Sequence, residues 1–285
     1  MQGPRSVGVA LVASALVAGV EPPPAGAQFV TAPDGVRIAY ETRGEGPTAL
    51  VFVHGWSCDR SYWRAQLASF ARRYRVVAVD LAGHGESGLG RASYTIGAFG
   101  DDVAAVVRAL GLRRVVLIGH SMGGSAIAEA ARRLPGRVAG LVLVETTKQL
   151  GAGQSPEAVA AFVARFRPAF PDTARAFVRS MFVSSSDRGL VERVVADMSS
   201  APPAVAIPTL QAARAYSREL PRTLESLRLP VVAINADNAR TDTASLRRYG
   251  VDVLVMPHVG HFLMLEDPPR FDGLLATAIE RILAR

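Results

Sequence analysis

A single cysteine, Cys58, and a single lysine, Lys148, stand in the 285 residues of this chain. One thiol excludes an intramolecular disulfide, so packing alone must stabilise the fold. With lysine nearly absent, arginine carries the formal charge of +7, in scattered pairs such as Arg72-Arg73, Arg113-Arg114, Arg132-Arg133 and Arg247-Arg248. Most of these pairs fall late in helical stretches or just after them, where a cation suits the helix dipole. A continuous basic face with interleaved aromatics is missing, which excludes a nucleic-acid partner. Internal repeats, metal-ligand spacing and a phosphate-binding loop are missing too, so neither cofactor nor metal is expected. The apolar stretch at residues 7–20 is shorter than the roughly 18 residues of a membrane span, so no stable membrane insertion is expected.

That stretch follows one early charge, Arg5, and runs into a proline-rich break ending in Ala25-Gly26-Ala27. This is the layout of a secretory signal peptide cleaved after Ala27, which predicts a secreted or periplasmic protein. The remaining chain alternates apolar, β-branched runs with helical periodicity. Strands are expected at 36–42, 48–53, 74–80, 114–118, 138–145, 229–235 and 251–256, and helices at 62–74, 98–110 and 268–283. Buried strands separated by helices predict a doubly wound, mostly parallel α/β sheet. From 148 to 228 the alternation stops, and helical stretches without a central strand predict an insertion over the strand ends. The expected organisation is therefore 1–27 leader, 28–147 core, 148–228 helical insertion and 229–285 core.

The chemistry centres on Gly119-His120-Ser121-Met122-Gly123, set between the apolar run 114–118 and the small, helix-forming run that follows. A strand turning sharply into a helix around a serine is a nucleophile elbow. Its hydroxyl needs a base at neutral pH. His261, in Val259-Gly260-His261-Phe262, follows the last strand and comes after the serine as the order serine, acid, histidine requires. His258 is its rival by position. His54-Gly55-Trp56 follows an apolar strand, where a turn can aim the Trp56 amide at the site; with the Met122 amide it forms the expected oxyanion hole. His54 is expected to shape that turn. A substrate pocket is expected from His54, Cys58, His120, Phe162, Phe166 and Met181. The insertion's Phe162, Phe166, Phe170, Phe177, Met181 and Phe182 suggest a largely apolar substrate.

Together the elbow, the Gly-His-Phe segment and the turn Asp80-Leu81-Ala82-Gly83-His84-Gly85-Glu86-Ser87 resemble the α/β-hydrolase superfamily over essentially the whole chain after the leader. The resemblance implies an eight-stranded core with a helical lid after the sixth strand. It also implies a serine hydrolase acting through a Ser-His-acid triad on a small carboxylic ester. Haloperoxidase-like, acyltransferase, lactonase and carbon–carbon hydrolase members use the same scaffold, and a non-catalytic binding protein could keep it. The family usually places its acid after the seventh strand, but there Ala239 stands at the matching position. Asp237 lies two residues earlier and Asp242 three later, while Glu145 ends the sixth strand, where another branch places the acid. Asp237 is preferred, Glu145 comes next and Asp242 third. Asp80 ends a strand before the serine and is read as holding a turn.

Overall fold

The computed structural model describes residues 26–285. The leader expected over 1–27, with all of its apolar stretch, lies outside the described residues but for its last two positions. Eight strands form one sheet in the order β1-β2-β4-β3-β5-β6-β7-β8. These are β1 (Gln28–Thr31), β2 (Arg37–Arg43), β3 (Ala49–Val53), β4 (Arg75–Val79), β5 (Val115–His120), β6 (Val138–Val144), β7 (Val231–Ala236) and β8 (Val251–Met256). The first two run antiparallel to their neighbours, and β3 to β8 are parallel. The continuous apolar runs predict this, because strands covered on both faces carry no polar alternation. Every residue of β3, β5 and β7 is buried.

Helices α1 (Arg64–Phe70), α2 (Ile96–Ala109) and α3 (Met122–Arg133) connect the first parallel strands. Between β6 and β7 lie five α-helices, a 3-10 turn at Tyr216–Arg218 and no strand: α4 (Pro156–Ala164), α5 (Phe170–Arg179), α6 (Arg188–Ser199), α7 (Pro203–Ala215) and α8 (Leu220–Leu227). Then α9 (Thr243–Arg248), α10 (Leu263–Glu266) and α11 (Pro268–Leu283) complete the chain, with Asp267 capping α11 through the Arg270 amide. The helix expected at 62–74 divides into a 3-10 turn at Arg60–Trp63, capped by Asp59, and α1. No helix among the described residues is long and apolar enough to cross a membrane.

The insertion is fastened to the sheet by specific hydrogen bonds. The Trp56 indole donates to the Ala206 carbonyl at 2.7 Å, Tyr62 donates its hydroxyl to Asp197 at 2.6 Å, and Tyr216 donates to Glu129 at 2.6 Å. Glu129 lies on the elbow helix α3, so the last of these ties the end of the insertion to the element that carries Ser121. Asp80 is buried and accepts from the Arg60 and Glu86 amides at 2.7 and 2.9 Å, as a turn-holding residue does.

Buried imidazoles give this core a pH dependence. Burial pushes His54 down to about 4, and burial with the neighbouring His54 pushes His84 down to about 3, from 6.5 in an unfolded chain. Below 6.5 the unfolded chain binds protons that these native rings refuse, so their contribution is complete above 6.5 and is lost as the pH falls. Burial raises Asp102 to about 6, which acts in the opposite sense, so the sign is best read by difference. In urea unfolding, His84→Asn is expected to lose less stability than the native chain between pH 7.5 and 5, by roughly 2 kcal/mol. Parallel pH profiles for the two proteins would show that His84 is not held neutral.

Candidate active site

Ser121 sits at the junction of β5 and α3 with φ 53° and ψ −117°. That left-handed conformation strains a residue with a side chain, by about 1–3 kcal/mol, and such strain persists where the surroundings impose it. Close packing imposes it here. A Cβ on Gly123 would come within 2.5 Å of the His54 and Val53 carbonyl oxygens, and one on Gly119 would strike the Gly123 backbone. Only glycine on both sides lets the helix start this close to the sheet.

Met122 is the first residue of α3, so its amide belongs to the turn that finds no carbonyl within the helix. Trp56 follows β3 in the neighbouring strand-end loop, and both residues line one cleft with Ser121 and His261. The cleft measures about 300 Å³. Buried His54 sets the Trp56 turn, since its Nδ1–H donates to the Gly55 carbonyl at 2.8 Å while Nε2 accepts the Leu81 amide at 3.0 Å. Only the neutral Nδ1–H tautomer makes both bonds.

Two of the three candidate acids lie away from His261. Asp237 is exposed and accepts the His258 amide at 2.8 Å, closing the turn after β8, while Asp242 caps α9 by accepting the Ser245 amide at 3.0 Å. Glu145 instead places Oε2 3.1 Å from His261 Nδ1. The preference for Asp237 over Glu145 is therefore reversed by the geometry. The chain turns at Glu145 with φ 49°, which brings its carboxylate back to the neighbouring strand end. There Oε1 accepts the Ala236 amide at 2.7 Å and lies 3.1 Å from Lys148 Nζ. The sole lysine also donates to the Ala236 carbonyl and the Asn238 side chain, both at 2.7 Å. The loop after β7, where the family's usual acid is absent, thus helps hold the Glu145 carboxylate. Burial would raise this carboxyl, but the hydrogen bond and charge of His261, with Lys148 and the Ala236 amide, hold it below the usual glutamate range.

The loop bearing His261 is fixed from three sides. The His261 amide donates to the Met181 carbonyl of the insertion at 2.9 Å. His120 donates Nε2–H to the His261 carbonyl at 2.9 Å. Glu266 accepts the Gly260 and Phe262 amides through one oxygen at 2.9 and 3.3 Å, and the Ser186 hydroxyl through the other at 2.6 Å. Sequence reasoning missed Glu266 and Lys148. A glutamate five residues past the histidine and a lone lysine three past Glu145 were the available signals. His258 is exposed and its amide serves the Asp237 turn.

Of the expected pocket residues, Cys58, His120 and Met181 line the cleft. His54 does not, being buried in its turn. Phe166 packs behind the lining, against Trp56 at 6.0 Å and Phe177 at 5.5 Å between ring centroids. Phe162 lies beneath the Arg214 guanidinium. The cleft wall is drawn instead from Phe177, Met198, Leu210 and Phe262, with Gln154, Arg214 and Ser217 as polar members. Burial pushes the Cys58 thiol well up, which makes it a neutral wall residue. No group of three histidine, cysteine or carboxylate side chains among the described residues could hold a metal ion.

A mostly parallel sheet with an elbow serine, a terminal histidine and a helical insertion defines the α/β-hydrolase fold. Residues 50–272 match the model of the Alpha/beta hydrolase family, and the chain belongs to that family. It is 44% identical over 118 residues to a non-heme haloperoxidase of Rhodococcus erythropolis, covering 41% of this chain and 43% of that protein. It is 38% identical over 125 residues to a bifunctional esterase/perhydrolase of Acinetobacter calcoaceticus, covering 43% of this chain and 45% of that protein. The matched segment thus spans less than half the length of these curated relatives. A thermophilic esterase from Thermogutta terrifontis superposes with a TM-score of 0.76 at 27% identity, over 90% of this chain and 99% of that one.

Proposed function

We propose that the chain is a serine hydrolase of carboxylic esters, working after export. Ser121 attacks the carbonyl carbon while His261 takes its proton. The Trp56 and Met122 amides receive the developing oxyanion, and His261 returns the proton to the leaving alcohol. Water, deprotonated by His261, then releases the acid from the acyl-serine. Glu145 keeps the His261 proton on Nδ1, which leaves Nε2 free as the base, and it stabilises the imidazolium formed during each transfer. The carrying observation is the Glu145–His261 contact at 3.1 Å on the cleft that Ser121 also lines.

The test is hydrolysis of a chain-length series of 4-nitrophenyl esters by the purified chain. Turnover that stops after stoichiometric modification of Ser121 by a fluorophosphonate is expected. Folded protein that neither turns over any member nor takes the label contradicts the proposal. The names of the haloperoxidase and perhydrolase relatives favour a second reading, in which hydrogen peroxide replaces water at the acyl-serine and a peracid leaves. Peracid formation outpacing hydrolysis of the same ester, at equal activity of peroxide and water, would select it.

A further inference from the structure

Three inward-facing arginines in this chain are paired with carboxylates. Arg60 meets Asp80 and Glu86, Arg91 meets Asp34 and Asp102, and Arg133 meets Asp101 and Glu129. Arg214, on α7 in the wall of the cleft, has no such partner among the described residues. It is half-buried, and burial pushes its guanidinium below the ordinary arginine value with no carboxylate among the described residues to offset the effect. A desolvated cation without a counter-ion is a standing cost, and a ligand anion is one way to remove it.

The side chain is also held in one pose. Its guanidinium carbon lies 3.6 Å from the centroid of the Phe162 ring, so the planar group rests on an aromatic face. Its Nε–H donates to Gln154 Oε1 at 3.1 Å. Stacking takes the face and Gln154 takes one edge donor, which leaves both terminal NH₂ groups without a protein acceptor among the described residues. A planar fork of this kind matches a carboxylate in two parallel hydrogen bonds. Among the described residues the only carboxylate lining the cleft is Glu145, and His261, Lys148 and the Ala236 amide already engage it.

We propose that Arg214 binds a carboxylate carried by the substrate away from its scissile ester, so that preferred substrates are half-esters with an apolar body and one anionic end. This rests on the esterase reading and adds the chemical class of the substrate. The apolar wall of Phe177, Met181, Met198 and Leu210 takes the body, and Arg214 with Gln154 takes the anionic end.

Two matched pairs of esters test it. The 4-nitrophenyl half-ester of adipic acid against 4-nitrophenyl hexanoate places the charge on the acyl side. The butyrate ester of 4-hydroxybenzoate against that of its methyl ester places it on the alcohol side. In at least one pair the charged member is expected to have a KM about 10- to 100-fold lower, with kcat little changed. Arg214→Gln should bring the two members to near equality, and Arg214→Lys should retain part of the preference. Neutral esters preferred or equal in both pairs, or a preference that survives Arg214→Gln, overturns the inference while the esterase reading stands. If neither pair turns over and Ser121 takes no fluorophosphonate label, the esterase reading fails on its own. Calorimetry of the same half-esters with Ser121→Ala and Ser121→Ala/Arg214→Gln then decides. Binding that depends on Arg214 sustains the anion site, and equal or absent binding overturns it.

Discussion

Ser121→Ala is expected to lower kcat on a 4-nitrophenyl ester by about 10⁶-fold and to abolish fluorophosphonate labelling. The hydroxyl lost is the one elbow atom proposed to bond covalently to substrate, so no neighbouring group takes over its step. What survives is the oxyanion pair and the apolar cleft, which still bind and polarise an ester for attack by water. That residue of catalysis amounts to about 10³- to 10⁴-fold over water in serine hydrolases stripped of their triads. KM should change little, because the variant keeps the wall, the oxyanion amides and Arg214. A variant that retains more than a per cent of native turnover would show that the chemistry lies elsewhere in the cleft.

Glu145→Gln is expected to lower kcat by about 10⁴-fold, with the fold intact. The geometry explains why so small a change costs so much. Oε1 accepts the Ala236 amide and lies beside Lys148, so the carbonyl of the new amide must stay there, and its NH₂ must face His261 Nδ1. An NH₂ donor in that place forces the imidazole proton onto Nε2, where it blocks the ring from accepting the Ser121 proton. The charge that supports the imidazolium is lost as well. Asp237→Asn should leave kcat within about twofold, since an asparagine oxygen still accepts the His258 amide on an exposed turn. Steady-state kinetics of the two variants on one ester measure the contrast. A loss confined to Asp237→Asn would place the acid after β7, and equal losses would contradict Glu145 as the sole acid.

The central strands were legible because being covered on both faces leaves a continuous β-branched signature, as in β3 and β5. The edge strand β1 was not, since Gln28–Thr31 is short and mostly exposed and offers no periodicity to read. Helix α9 was missed for a similar reason, its six residues burying only Leu246. In the site, Ser121 and His261 were legible because a local backbone demand marks each, the glycines flanking the elbow and the Gly-His-Phe turn. The acid carries no such mark. Which carboxylate meets His261 depends on how far two strand-end loops reach through space, and a left-handed turn at Glu145 settles it in the structure. Counting residues to the family's usual position led to Asp237, which the chain uses to close a turn instead. Arg214 was hidden for a different reason, since its place in the cleft wall and its want of a carboxylate partner are visible only in the packed structure.

Pairing of Ser121 and His261 with Glu145 as the acid is tested most directly by the rate of fluorophosphonate labelling, which reads the nucleophilicity of Ser121 without requiring knowledge of the substrate. Native protein and Asp237→Asn are expected to label at the same rate, and Glu145→Gln more slowly by about three to four orders of magnitude. Native-like labelling of Glu145→Gln, or slow labelling of Asp237→Asn, would contradict the account.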